Sequence, residues 1–214
     1  MTHATEFAPG ITVRGITAPL ALKDYKLIAF DMDSTLISIE CVDEIAAAVG
    51  RKAEVAAITE AAMQGVITDY KESLRQRVAL LRGVTAAQLE AVYTERLRFN
   101  PGAEALVAAA RQAGLTTLLV SGGFTFFSDR VKTHLGIDYA RANMLEIDNG
   151  VLELASLMGI APHQAIAVGD GANDLPMMGA VGLSVAYHAK PTVRAQAKVA
   201  IHEGGLDRLL EVLR

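Results

Sequence analysis

The sequence predicts an α/β protein: a Rossmann-like, doubly wound parallel sheet with an inserted helical cap. Three observations predict it. After Gly114, short apolar runs alternate with helical stretches, and strand followed by helix implies a parallel sheet. "LIAF" at Leu27–Phe30 is apolar throughout, as a strand buried on both faces must be. Between that run and "LTTLLV", residues 39–98 read as successive helices with no convincing strand.

In chain order, residues 1–26 form an N-terminal extension of poor periodicity; "ITVRGI" admits a short strand, and the extension is left unassigned. Leu27–Phe30 is the first core strand. The cap, 39–98, opens with Glu40–Val49, an alanine-rich helix closing at Gly50, followed by Lys52–Gln64 closing at Gly65. Thr68 is placed to cap a third helix running to Arg82 before Gly83, and "TAAQ" at Thr85–Gln88 is a capping box opening a fourth. Pro101 sits where a first helical turn tolerates proline. The core, 27–38 and 99–214, continues with strand "LTTLLV", helix "FTFFSDRVKTHLG", strand "AIAVGD" and strand "VGLSVA".

Composition narrows the partners. The chain has 214 residues, 51% hydrophobic, with a formal net charge of −4 and acids and bases intermixed. That pattern leaves no basic footprint for nucleic acid or an anionic membrane. Its apolar runs fall far short of the roughly 20 residues of a membrane span. One cysteine, Cys41, makes no internal disulfide and reads as a small buried hydrophobe. "MTHATEFAPG" lacks the layout of a signal peptide, so a cytoplasmic protein is expected.

Three strands end in reactive residues. "LIAF" leads to Asp31 and Asp33, "TLLV" to Ser121-Gly122-Gly123, and "AIAV" to Gly169-Asp170-Gly171 with Asn173 and Asp174. Open α/β sheets bind ligands beyond the carboxyl ends of their strands, so these residues should meet in one crevice. On an unbroken strand Asp31 and Asp33 would share a face; a turn would instead let Asp33 offer its backbone carbonyl to a cation. With Asp170 and Asp174 they make a set of hard oxygen donors suited to Mg²⁺. Ser121, Gly122 and Gly123 offer a hydroxyl and open N–H groups to an anion. An anion beside a cation and a carboxylate suggests phosphate, with one aspartate attacking phosphorus and the other moving the proton.

Each feature also has a plain structural reading. An aspartate ending a strand can simply cap a turn, "SGG" can be a turn with a helix cap, and "GDGAND" exceeds in glycine and acid what a loop needs. Agreement at three strand ends decides for function. His134, His163, His188 and His202 read as surface or capping residues, and Met63, Met177 and Met178 as packing.

"DMDST", "SGG" and "GDGANDLPMM", in that order, resemble the motifs of the haloacid dehalogenase (HAD) superfamily of phosphohydrolases. Within it, "IECVDEIA", "SLRQRVALL", "VSGGF" and "AYHAKP" resemble the phosphoserine phosphatases over most of residues 27–200. The resemblance implies a HAD-like core and Mg²⁺-dependent hydrolysis of O-phospho-L-serine in serine biosynthesis. It makes Asp31 the nucleophile and Asp33 the general acid/base, with Asp31, the Asp33 backbone and Asp170 around the metal and Asp174 beside it. Ser121 and Gly122 would hold the phosphate, and Asn173 would line the site. Glu40 and Arg77 would take the substrate's ammonium and carboxylate, making the cap a specificity lid.

One departure stands out. The family pattern places a lysine-bearing helix ahead of "GDGAND", yet no lysine occurs between Thr133 and Ala189, and "IDNGVLE" runs straight into "LASLMGIAP". A missing charge of that kind costs about 3 kcal/mol in the transition state. Lys132 or Lys190 could substitute in space. A catalytically impaired phosphoserine-binding protein, a phospho-acceptor switch and a phosphatase or phosphotransferase for another small molecule remain alternatives. Oligomeric state is not readable.

Overall fold

The computed structural model describes residues 3–63, 69–142 and 160–214. The chain divides into two compact units, one formed by Met1–Ile37 and Phe99–Arg214, the other by Ser38–Arg98.

Among the described residues, the first unit has eight strands: β1 (Ala4–Ala8), β2 (Ile11–Arg14), β3 (Leu27–Asp31), β4 (Thr116–Ser121), β5 (Tyr139–Ala142), β6 (Ala165–Gly169), β7 (Leu183–Tyr187) and β8 (Val199–Ile201). Their order is β1-β2-β8-β7-β6-β3-β4-β5. Every pairing from β8 to β5 is parallel. The doubly wound sheet is therefore as expected. The N-terminal extension is a hairpin that adds two antiparallel strands to it, β2 beside β8 and β1 outermost.

Chain order reverses at β3, with β4 on one flank and β6 on the other. Leu27, Ile28, Ala29 and Phe30 are each 0% exposed, the burial on both faces that their unbroken apolar run demands. Alternate residues Leu27 and Ala29 share one face with Leu118, Val120, Ala165 and Ala167. Met177 and Met178, from the short helix Leu175–Gly179, join that cluster, so their role is packing. The other α-helices of this unit among the described residues are Ala103–Gln112, Thr125–Leu135, Pro191–Arg194 and Leu209–Val212. Pro101 precedes the first of these instead of sitting inside it. Gly102, at φ 79°, holds a left-handed conformation at the N-cap and delays the helix to Ala103.

The second unit is helical: α1 (Cys41–Ala48), α2 (Lys52–Met63), α3 (Tyr70–Ala79) and α4 (Ala86–Ala91). Thr85 and Gln88 form the expected capping box, Gln88 N–H donating to Thr85 Oγ1 at 3.3 Å and Thr85 N–H to Gln88 Oε1 at 2.9 Å. α3 ends at Ala79, short of Arg82, because Leu80, Leu81 and Arg82 close tighter turns onto Arg77, Val78 and Ala79. Thr68 lies outside the described residues.

His202 ties the hairpin down. Arg194 Nη1, which can only donate, lies 3.1 Å from His202 Nδ1, so that nitrogen accepts and Nε2–H donates to Thr12 Oγ1 at 3.0 Å on β2. Partial burial and the charges of Arg194 and His188 hold its pKa below the ordinary 6.5, against a weaker pull from Glu203. The unfolded chain then binds the proton more readily, so stability falls as pH drops below about 6.5. Over about pH 7 to pH 5 the parent's denaturant midpoint should therefore drop relative to that of His202→Asn, which lacks this contribution.

Candidate active site

The site begins at the end of β3. Asp31 is 6% exposed at the last strand position. The chain then turns: Ile37 N–H donates to the Met32 carbonyl at 3.1 Å, and Ser34 adopts φ 57°. Asp33 and Asp31 therefore do not share an extended strand face. Thr35, fully buried in the same turn, donates to Asp170 Oδ1 at 3.5 Å. Its place in "DMDST" was the signal for it, although residue type alone gave it no role.

The loop after β4 backs onto this turn. Ser121 Oγ accepts from Gly123 N–H at 2.9 Å, which leaves the hydroxyl proton available to donate. A Cβ on Gly123 would stand 3.1 Å from Ser121 Oγ, 3.4 Å from Met32 Cε and 3.7 Å from Asp33 Oδ2. The tight contact is the one to Ser121 in the same loop; those to Met32 and Asp33 are ordinary van der Waals distances and show how near the two loops lie. Gly122 lies between these two residues in the same loop.

After β6, Asp174 draws its loop around itself. Its Oδ2 accepts from Asp170 N–H at 3.0 Å and Gly171 N–H at 2.9 Å, and its Oδ1 from Asn173 Nδ2 at 2.8 Å. Asp31, Asp170 and Asp174 present carboxylate oxygens within 4.8 Å of one another. Asp174 thus stands with the other two acids, whereas the carboxylate of Asp33 is not in that trio. Asn173 reaches the site through Asp174.

Burial, then the negative charges of Asp174, Asp33 and Asp170, push the Asp31 pKa well above the ordinary 3.8; the Met32 N–H works weakly the other way. Crowded carboxylates with no histidine or cysteine among them suit a hard divalent cation. The trio could hold a metal ion. Lys190 donates its backbone N–H to the Asp170 carbonyl at 3.3 Å, bringing its main chain to the edge of this loop. Lys132 lies in the last turn of helix Thr125–Leu135.

Glu40 and Arg77 belong to the helical unit. Glu40 is exposed immediately before α1, and Arg77 lies in α3. The Nε of Arg77 is buried and has no hydrogen-bond partner among the described residues. The junction after Glu153, where the sequence departs from the family pattern, lies outside the described residues.

Residues 25–182 match the model of the haloacid dehalogenase-like hydrolases, and the chain belongs to that family. It is 63% identical over 235 aligned positions to a phosphoserine phosphatase of Albidiferax ferrireducens, covering 99% of each chain. To a phosphoserine phosphatase of a Polaromonas species it is 62% identical, covering 98% of this chain and 99% of that one. It resembles the solved structure of a substrate-bound phosphoserine phosphatase with a TM-score of 0.80 at 33% identity, covering 89% of this chain and 99% of that one. No described helix is long and apolar enough to cross a membrane.

Proposed function

We propose that this chain is a Mg²⁺-dependent phosphomonoesterase that hydrolyses O-phospho-L-serine to L-serine and phosphate in serine biosynthesis, in the cytoplasm. The observation that carries the reading is the meeting of three strand ends: Asp31 from β3, the Ser121 loop from β4 and the Asp170–Asp174 loop from β6. A carboxylate nucleophile, an anion-holding loop and a cation-holding acid set are the parts that phosphoryl transfer needs.

In the first half-reaction a carboxylate oxygen of Asp31 attacks phosphorus and the bond from phosphorus to the seryl oxygen breaks. Asp33 gives its proton to that oxygen, releasing L-serine and leaving an aspartyl-phosphate on Asp31. In the second, Asp33 takes a proton from water as the water oxygen attacks phosphorus, which frees phosphate and restores Asp31. Ser121 O–H and Gly122 N–H hold phosphoryl oxygens, while Asn173 fixes Asp174. Asp31, the Asp33 carbonyl and Asp170, beside Asp174, would hold Mg²⁺, which would supply positive charge against the acids and the phosphoryl group. Arg77 pairs with the substrate carboxylate through its planar fork and Glu40 with the ammonium, so that the 39–98 cap acts as a specificity lid. The Nε of Arg77, buried and without a hydrogen-bond partner among the described residues, supports that role.

A second reading, a protein that binds phosphoserine with Mg²⁺ and does not turn it over, is favoured by the absence of lysine between Thr133 and Ala189. One steady-state assay separates the two. Phosphate release from phosphoserine should stop in chelator and return with added Mg²⁺. Calorimetric binding without any release would decide for the second reading.

A further inference from the structure

Asn100 satisfies four successive carbonyls of the catalytic turn. Its backbone N–H donates to Leu36 O at 2.9 Å. Its side-chain Nδ2 donates to Ser34 O at 3.2 Å, Thr35 O at 2.8 Å and Ile37 O at 3.1 Å. Three acceptors around one nitrogen fix which end of the carboxamide points inward, since the amide oxygen would meet only other oxygens there. Two N–H bonds serve three oxygens, so at least one is shared.

The turn needs such a clamp. Ser34, a residue with a side chain, is held in the left-handed region at φ 57°, a conformation that persists only where its surroundings impose it. Asp33 is the residue immediately before it. Thr35, immediately after, reaches Asp170. Asn100 touches neither carboxylate; it lies beyond the insertion in sequence, next to Phe99, whose bridge to Ile37 closes the chain onto the same turn.

We infer that Asn100 is a positioning residue that holds the Ser34–Ile37 turn, and through it the proton-transferring carboxyl of Asp33, at the geometry needed to protonate the departing seryl oxygen. This rests on the phosphatase reading. Small misplacements of a catalytic group cost up to about a hundredfold in rate. The loss should fall on substrates whose leaving oxygen requires a proton and spare those whose leaving group departs as an anion.

The test compares kcat/KM, which reports formation of the aspartyl-phosphate, for phosphoserine and for p-nitrophenyl phosphate. Asn100→Asp, which keeps the shape and turns oxygens onto the three carbonyls, should lower kcat/KM for phosphoserine about tenfold to a hundredfold and for the aryl phosphate less than about threefold. Asn100→Ser, keeping one donor, should fall between Asn100→Asp and the parent on phosphoserine. If Asn100→Asp does not fold, Asn100→Ser is read by the same criterion. A purely structural role would reduce the active fraction and so lower both substrates equally. Equal losses, or none, with an active parent overturn the Asn100 assignment alone; a parent inactive on both substrates overturns the phosphatase reading and this inference with it.

Discussion

Asp31→Asn is expected to lower phosphate release from phosphoserine at least about a thousandfold while leaving the protein folded. The amide nitrogen cannot attack phosphorus, and the remaining amide oxygen is too weak a nucleophile to replace a carboxylate. The fold should tolerate the change because Asp31 ends β3 without acting as a cap, and asparagine matches its volume. Metal-free stability gives an independent reading. The folded protein holds the Asp31 pKa well above 3.8 through burial and three neighbouring acids, so ionising Asp31 opposes folding. Its contribution is complete below the unfolded value and is lost as pH rises toward the folded one. At about pH 7 and in chelator, Asp31→Asn should accordingly melt no lower than the parent, with each kcal/mol relieved worth about 2–4 °C. Retained turnover would remove the nucleophile assignment. A lower metal-free melting temperature would contradict the electrostatic account of the site.

Arg77→Ala is expected to cost about 2–4 kcal/mol in kcat/KM for phosphoserine, roughly thirtyfold to several hundredfold, through loss of a charge-assisted pair with the substrate carboxylate. An aryl phosphate without that carboxylate should change by less than about threefold. Arg77→Lys keeps the charge and loses the fork, so it should fall between the two. The Nε of Arg77 has no partner in the described protein, so truncation breaks no described hydrogen bond at that atom and unfolding should be little changed. Parallel losses on both substrates would show that Arg77 does not read the carboxylate.

Legibility in the sequence followed the strength of local signals. β3, β4, β6 and β7 were each readable because buried parallel strands are mostly apolar, interrupted here only by small hydroxyl residues in β4 and β7 and by the terminal Asp31. β5 and β8 were not. "YARA" is a half-exposed edge strand of alanine and arginine, and "VAI" is three residues long, so neither carries a period. The hairpin of residues 4–14 was left open because its support is remote: β2 pairs with β8, near the other end of the chain. In the helical unit, Thr85 could be read as a cap since both of its partners lie within three residues.

The site divides along the same line. Asp31, Asp33, Ser121, Gly122, Asp170, Asn173 and Asp174 could be nominated from sequence because each stands at the end of a readable strand, in a pattern denser in acid and glycine than a turn requires. Thr35 could not be given its contact with Asp170, which spans 135 residues. Asn100 carried no signal at all, because its four acceptors lie 63 or more residues away. What the sequence by itself determined is the chemistry on offer and the parallel sheet that presents it, since both follow from short-range pattern. Only the tertiary structure decided which carboxylates crowd together, which backbone oxygens a single asparagine clamps and how the N-terminal hairpin is fastened. Those depend on hydrogen bonds and charge separations of a few ångströms, and only the closed sheet brings residues so far apart in the chain to such distances.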